Sequence, residues 1–220
     1  MLKDGNHMIL ITAIQEDRKR RINNRKALVL RIRSTNMIRL EHYQYNFHKN
    51  KIQFIYERSF PQSERFDFDI LKKCDKEFNV NLSCILQDDE PVGMQFTVEL
   101  PNDITYLMYF AVDKEYRNQS IGSKALQRLV SSKDKVMLII ERPTDELTER
   151  RKNFYLRNGF YSTEILFDDM GIHYEVLISD KNYKPTEQDL LNRYRCMNNN
   201  ELTWKRIKGT FNTENIKLIE

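Results

Sequence analysis

The sequence predicts an α+β domain: a central, mostly antiparallel sheet of about seven strands flanked by about four helices. Three observations predict it. Residues 80–112 read as three consecutive strands joined by short turns, an antiparallel meander. Residues 104–126 change period, from alternation at every second residue to a stripe at every third or fourth. Residues 160–179 are two more strands around Asp168-Asp169-Met170-Gly171, a closing hairpin.

Taken in order, Met37-Ile38-Arg39-Leu40 reads as the first strand. Asn46 to Phe60 is a helix with Ile52, Ile55 and Tyr56 on one side, ended by Pro61. Phe68 to Phe78 is a second helix, striped by Ile70, Leu71, Cys74 and Phe78. Val80 to Leu86 and Val92 to Glu99 are strands about an Asp88–Pro91 turn. In the second, Val92, Met94, Phe96 and Val98 are expected on a buried face, with Gln95, Thr97 and Glu99 on a wet one.

The third strand, Ile104 to Val112, should point Ile104, Tyr106, Met108 and Phe110 one way and Thr105, Leu107, Tyr109 and Ala111 the other. Both sets are largely apolar, so the strand is interior. A helix starts at Ile121, striped by Ala125, Leu126, Leu129 and Val130, and Val136–Ile140 is another interior strand. Asp145 to Asn158 is a helix with Gly159 as its C-cap. Pro185 to Met197 suggests one more amphipathic helix.

Between the third strand and its helix lies Arg117-Asn118-Gln119-Ser120-Ile121-Gly122-Ser123. Such a loop aims unpaired backbone N–H groups at one point, with the positive end of a helix dipole behind them, an arrangement suited to phosphate. An ordinary strand–loop–helix connection reads the same way. The loop is neither a Walker loop nor a dinucleotide fingerprint, since it lacks Gly-Lys-Ser/Thr and has one glycine where three are needed.

The segment Phe110-Ala111-Val112 followed by Arg117-Asn118-Gln119-Ser120-Ile121-Gly122 resembles the signature of the Gcn5-related N-acetyltransferase (GNAT) family, with Ser120 where the first glycine is usual. Asn153-Phe154-Tyr155-Leu156-Arg157-Asn158-Gly159-Phe160 resembles the family's Phe-Tyr-x-x-x-Gly-Phe block. Both blocks stand in the right order, and the resemblance covers about Met37 to Asp180.

It implies acetyl-coenzyme A as donor and a primary amine as acceptor, joined by direct attack in a ternary complex. It also implies two central strands that splay apart. The amides of Asn118, Gln119, Ser120, Ile121, Gly122 and Ser123, with Arg117, would hold the pyrophosphate. Phe110, Ala111 and Val112 would hold the pantetheine arm, with the Val112 amide near the thioester carbonyl. Tyr155 would be the general acid for the thiolate. Glu141, at the end of an apolar strand, is expected as general base, its pKa raised by burial; an ion pair with Arg142 or Arg150 is the other reading. Thr148 stands where many relatives carry an asparagine for the pantetheine. Phe60, Glu64 and Arg65 are candidates on the acceptor side. A non-catalytic acyl-coenzyme-A-binding module is the alternative from another class.

Composition bounds the rest. The chain has 220 residues, 40% hydrophobic and 31% charged, enough for one core. Residues 1–36 hold +6 of the net charge of +4, leaving −2 for residues 37–220. The basic character thus belongs to an N-terminal extension with the cluster 18–26, and nucleic acid is not an expected partner. That extension is an added segment or the product of an upstream start. The acetyltransferase domain is read as 37–180, and 181–220, with Trp204, as an appendage that packs on it or forms a homodimer interface. The apolar run 8–14 is too short for a bilayer, so no membrane role is expected. Three unpaired-looking cysteines (Cys74, Cys84, Cys196) fit a reducing cytosol, and neither they nor the four histidines show a metal spacing.

Overall fold

The computed structural model describes residues 19–20, 37–45, 49–77, 79–169, 171–195 and 217–219. The expected run 8–14, the basic cluster apart from Lys19 and Arg20, Cys196 and Trp204 lie outside the described residues. The chain divides into two units, Met1–Met37 and Ile38–Glu220, and all elements below belong to the second.

In chain order they are β1 (Ile38–His42), α1 (Lys49–Ser59), α2 (Phe68–Glu77), β2 (Val80–Gln87), β3 (Glu90–Leu100), β4 (Ile104–Val112), α3 (Ile121–Ser131), β5 (Lys135–Glu141), α4 (Glu146–Arg157), β6 (Tyr161–Asp169), β7 (Ile172–Ile178), α5 (Glu187–Arg195) and β8 (Lys217–Ile219). One sheet runs β1-β2-β3-β4-β5-β7-β6-β8. Neighbours are antiparallel except β4 and β5, so the fold is the expected α+β one with a single parallel junction at its centre.

The tight turns carry the residues that tolerate positive φ. Asp88 and Asp89 (φ 50° and 72°) turn β2 into β3, and Asn102 and Asp103 (φ 62° and 56°) turn β3 into β4. The first is a two-residue hairpin of the twist-compatible kind; the second is a three-residue loop, Pro101 to Asp103, closed by the pair Leu100–Ile104. Asn102 is also tied from far along the chain. Its Nδ2 donates to Asp189 Oδ1 (3.2 Å), while Asp189 Oδ2 accepts from Tyr183 Oη and the Thr186 amide (2.9 and 2.8 Å). Thr186 Oγ1 accepts from the Asp189 amide in return (3.2 Å), a reciprocal cap for α5.

The sheet has two covered faces. On the first, Ile52, Ile55 and Tyr56 of α1, Phe68, Leu71 and Cys74 of α2, and Leu190 of α5 bury Leu82, Cys84, Met94, Phe96, Val98, Ile104 and Tyr106. On the second, Leu126 and Leu129 of α3 cover Leu107, Val136, Leu138 and Ile140. Ile121 and Ala125 of α3 cover Ile38, Ile85 and Val92. Each fully buried aliphatic side chain contributes about 2 kcal/mol of apolar transfer.

Two irregularities correct the expected faces. In β4, Phe96 pairs with Tyr109 and Thr97 with Leu107, so Met108 is an extra residue without a partner in β3. Beyond this bulge the parity reverses. Tyr109 and Ala111 join Ile104 and Tyr106 on the α1 face, whereas Phe110 and Val112 join Leu107 on the α3 face. In β3, Ile85 pairs with Gly93 and Leu86 with Pro91, which leaves Val92 unpaired and turns it to α3 instead of keeping it with Met94. Nor is the second face of β3 wet: Gln95 and Thr97 are buried, since α3 lies on that side of the sheet.

The β4–β5 junction is short. Ile104, Thr105 and Tyr106 pair with Lys135, Val136 and Met137, and no pairing continues beyond. The strands part there, as the splay expectation had it. Side chains on central strands are ordinarily buried. Here Met108 and Ile139 on the α1 face, and Phe110 and Val112 on the α3 face, are only half-buried, marking a slot through the sheet.

Gly93 makes the β3 irregularity affordable, because a Cβ there would lie 2.5 Å from the Ala111 carbonyl oxygen. Gly93→Ala is expected to lower stability by about 2 kcal/mol, read as a lower urea midpoint with an unchanged slope.

Candidate active site

Residues 117–120 lead into α3. Ser120 is the N-cap and its carbonyl takes the first helical bond, from the Lys124 amide (3.0 Å). Among the described residues the amides of Asn118, Gln119, Ser120, Ile121, Gly122 and Ser123 make no backbone hydrogen bond. Six amides without backbone partners thus lie at a helix N-terminus, the kind of place that suits an anion.

Ser120 sits at φ 59° and Asn118 at φ 62°. Asparagine tolerates that region, whereas serine has no such preference, so the departure from the family's glycine falls where glycine is at ease. Gly122 answers a different constraint: a Cβ there would meet the Phe154 ring at 3.1 Å and Val112 at 3.6 Å. The loop is also fastened by guanidiniums. Arg117 Nε donates to the Val112 carbonyl (3.1 Å) and Arg150 Nη2 to Asn118 Oδ1 (3.2 Å). The second contact links the loop to α4, and no sequence spacing announced it.

At the strand end, the Asp113 amide donates to the Val92 carbonyl (2.8 Å). Antiparallel ladders alternate, so the pairs Ala111–Met94 and Tyr109–Phe96 also face inward to β3. Phe110 and Val112 then turn their backbone groups to the slot. Of the three expected pantetheine-binding residues, the structure brings Phe110 and Val112 to the opening by their backbones and sets Ala111 into the ladder.

Glu141 and Tyr155 lie on opposite faces. Met137 and Ile139 of β5 face α1, and Glu141 follows at the same parity, paired across the sheet with Tyr174. Glu141 is exposed, so the burial expected to activate it is not present. Neither expected ion pair, to Arg142 or Arg150, appears among the salt bridges of the described residues. Tyr155 packs from α4 on the α3 face, its ring 5.4 Å from Phe154 and 5.9 Å from Phe160. Desolvation pushes its phenol up to about 12, so it remains protonated at neutral pH. Next to it, α4 is fixed on the sheet by Lys152 Nζ, 2.8 Å from buried Glu175.

The bulge gives the α1 face a residue that alternation had put elsewhere. Tyr109, buried there, donates to the Glu64 carbonyl (3.3 Å) and accepts from the Phe66 amide (3.4 Å). Tyr56 donates to the Phe66 carbonyl (3.1 Å). Phe60 stands edge-on to Tyr109 with centroids 4.9 Å apart. Arg65 turns back to the Glu57 and Phe60 carbonyls at the end of α1, closing that helix instead of reaching outward. The loop between α1 and α2 is thus held against β4 by tyrosine hydroxyls.

Thr148 is committed elsewhere. Its amide donates to Asp145 Oδ1 (2.7 Å), and its hydroxyl accepts from the Asp145 amide (3.1 Å), a capping box. Cys74 and Cys84 are buried and in no disulfide, and burial pushes the Cys84 thiol up to about 12, so Cys84 is not a nucleophile. Among the described residues no group of three His, Cys, Asp or Glu could hold a metal, and no helix is long and apolar enough to cross a membrane.

Residues 80–162 match the family model described as an acetyltransferase (GNAT) domain. The fold is similar to that of a GNAT-family acetyltransferase from Bacteroides thetaiotaomicron (TM-score 0.54, 24% identity, 64% of this chain and 85% of that one). It is similar also to Ard1 from Thermoplasma volcanium (0.50, 17%, 66% and 96%). A third likeness is to an aminoglycoside 6'-N-acetyltransferase complexed with coenzyme A (0.52, 14%, 64% and 95%). No curated protein matches the sequence.

Two expectations follow from the local geometry. Ser120→Gly should leave stability within about 0.5 kcal/mol, while Ser120→Val, β-branched at positive φ, should lose about 1–2 kcal/mol; chemical denaturation separates them. The Thr148 hydroxyl, then its amide, holds the Asp145 carboxyl below its ordinary 3.8. A depressed carboxyl stabilises the fold above its unfolded pKa and ceases to as pH falls through the folded one. Thr148→Val should therefore return the Asp145 titration toward 3.8 by NMR and remove that part of the acid sensitivity.

Proposed function

We propose, for a chain whose residues 80–162 are a GNAT acetyltransferase domain, that it transfers an acetyl group from acetyl-coenzyme A to a primary amine by direct attack in a ternary complex. One observation carries the reading: a slot through the sheet with a carboxylate, Glu141, on one face and a protonated phenol, Tyr155, on the other.

Donor binding fits the residues present. The six free amides of 118–123 receive the diphosphate, with Arg117 and Arg150 adding positive charge at the edge. The pantetheine arm, which is peptide-like, pairs with the backbone groups of Phe110 and with the Val112 N–H, the Val112 carbonyl being held by Arg117. The Val112 N–H then points at the thioester oxygen, where negative charge develops.

The amine reaches the carbonyl carbon from the α1 face, because the donor fills the α3 face. At neutral pH only about one amine in a thousand is neutral, for a pKa near 10. The neutral fraction attacks, and as its lone pair enters the new bond the nitrogen becomes acidic enough for Glu141 to take the excess proton, which the exposed carboxylate hands on to water. The nitrogen–carbon bond forms, the carbon–sulfur bond breaks, and the electron pair leaves on sulfur. Full proton transfer from a phenol near 12 to a thiolate whose acid has a pKa of about 8.5 is uphill. Tyr155 therefore acts by hydrogen-bonding the departing thiolate, and solvent supplies the final proton.

Residues 37–180 form the catalytic domain in this reading, with 1–36 and 181–220 as its extensions. A second reading, an acyl-coenzyme-A-binding module without turnover, is favoured by Ser120 at positive φ and by Thr148 in its capping box.

Purified protein should release thiol from acetyl-coenzyme A when given an amine; binding heat without thiol release would establish the module instead. Tyr155→Phe should lower kcat about tenfold or more with the donor Kd within twofold by calorimetry. Glu141→Gln should lower kcat with the donor Kd unchanged. No break from Tyr155 is expected below pH 10. Equal turnover of either variant with the parent removes that residue from the mechanism.

A further inference from the structure

The face from which the amine must come is built of apolar side chains, and this bears on which amine it is. We infer that the acceptor is a single-charged primary amine carried on an apolar, ring-containing body; the inference rests on the transfer reading above. Across the slot on the α1 face, Met108 of β4 and Ile139 of β5 are half-buried, as are Tyr174 of β7 beside Glu141 and Phe60 at the end of α1.

The Phe60 ring is set against Tyr109, which is itself gripped by the Glu64 carbonyl and the Phe66 amide. That ring is therefore pre-oriented, and little side-chain freedom is lost when a partner settles on it. At the end of this wall stands the exposed carboxylate of Glu141, a counter-charge for the ammonium. A monoamine with an aromatic or aliphatic body matches both parts: head to Glu141, body to Phe60, Met108, Ile139 and Tyr174. A polyamine or an aminoglycoside would set its further ammonium groups against apolar surface and lose their hydration there.

The same chemistry could come from a free arylalkylamine or from the N-terminus of a peptide that begins with an aromatic residue. The test measures kcat/KM for phenethylamine, a hexapeptide beginning with phenylalanine, spermidine and kanamycin, with donor binding followed by calorimetry. At least a tenfold advantage for phenethylamine or the peptide over both polycations is expected, and the better of the two identifies the source. Spermidine or kanamycin serving equally well or better overturns the inference and leaves the transfer reading standing. No acetylation of any of the four also overturns it; donor heat without transfer then indicates the binding module, and no donor heat removes the transfer reading as well. Phe60→Ala should lower kcat/KM for phenethylamine about tenfold and leave spermidine and the donor Kd within twofold. An equal fall for both amines overturns the inference. If Phe60→Ala does not fold, Met108→Ser is read by the same ratio.

Discussion

The site depends on a failure of pairing. β4 and β5 meet as parallel strands for three residues and then separate. In a closed sheet the backbone groups of Phe110 and Val112 would be consumed by the ladder, and a buried strand with unpaired amides would be unstable. They are tolerable here because the gap admits a ligand or water. Everything with chemical interest stands along that gap: the amide cradle past its upper end, the carboxylate on one rim and the phenol on the other.

The bulge at Met108 gives the gap two different walls. An undisturbed alternation would have sent Tyr109 to α3 and Phe110 to α1. One inserted residue exchanges them, so Tyr109 braces the α1–α2 loop and Phe110 packs on the α3 side. The strand therefore offers its backbone to the gap on one side and a bracing side chain on the other. That division needs adjacent residues facing opposite ways past the bulge, which the pleat supplies.

Most of the architecture was legible in sequence because it follows from periodicity and turn chemistry. The α3 stripe of Ile121, Ala125, Leu126 and Leu129, and Asp145 and Gly159 at the ends of α4, stand where their patterns put them. The amide cradle was legible too, since a polar loop between a strand and a helix has few ways to run. The faces of β3 and β4 were not. A bulge leaves the composition of a strand unchanged and alters only its count, so alternation read across it inverts half the assignments. Gly93, isolated within a strand, was the one sign of trouble. The exposure of Glu141 was hidden for a related reason: an apolar run reports the burial of its interior and says little of its last residue. Arg150 and Tyr109 were invisible because their partners, Asn118 and Glu64, lie 32 and 45 residues away.

The tie between Asn102 and Asp189 spans 87 positions in the chain. It fixes the turn from which β4 departs, so the base of the gap takes bracing from a helix far along the chain. During synthesis the meander can collapse early on local contacts, yet Asn102 finds its carboxylate only after residue 189 has left the ribosome. Long-range closures of this kind slow folding. A nascent chain thus holds its central strands without that bracing until residue 189 has emerged, and the gap takes its final form in one late step rather than by degrees.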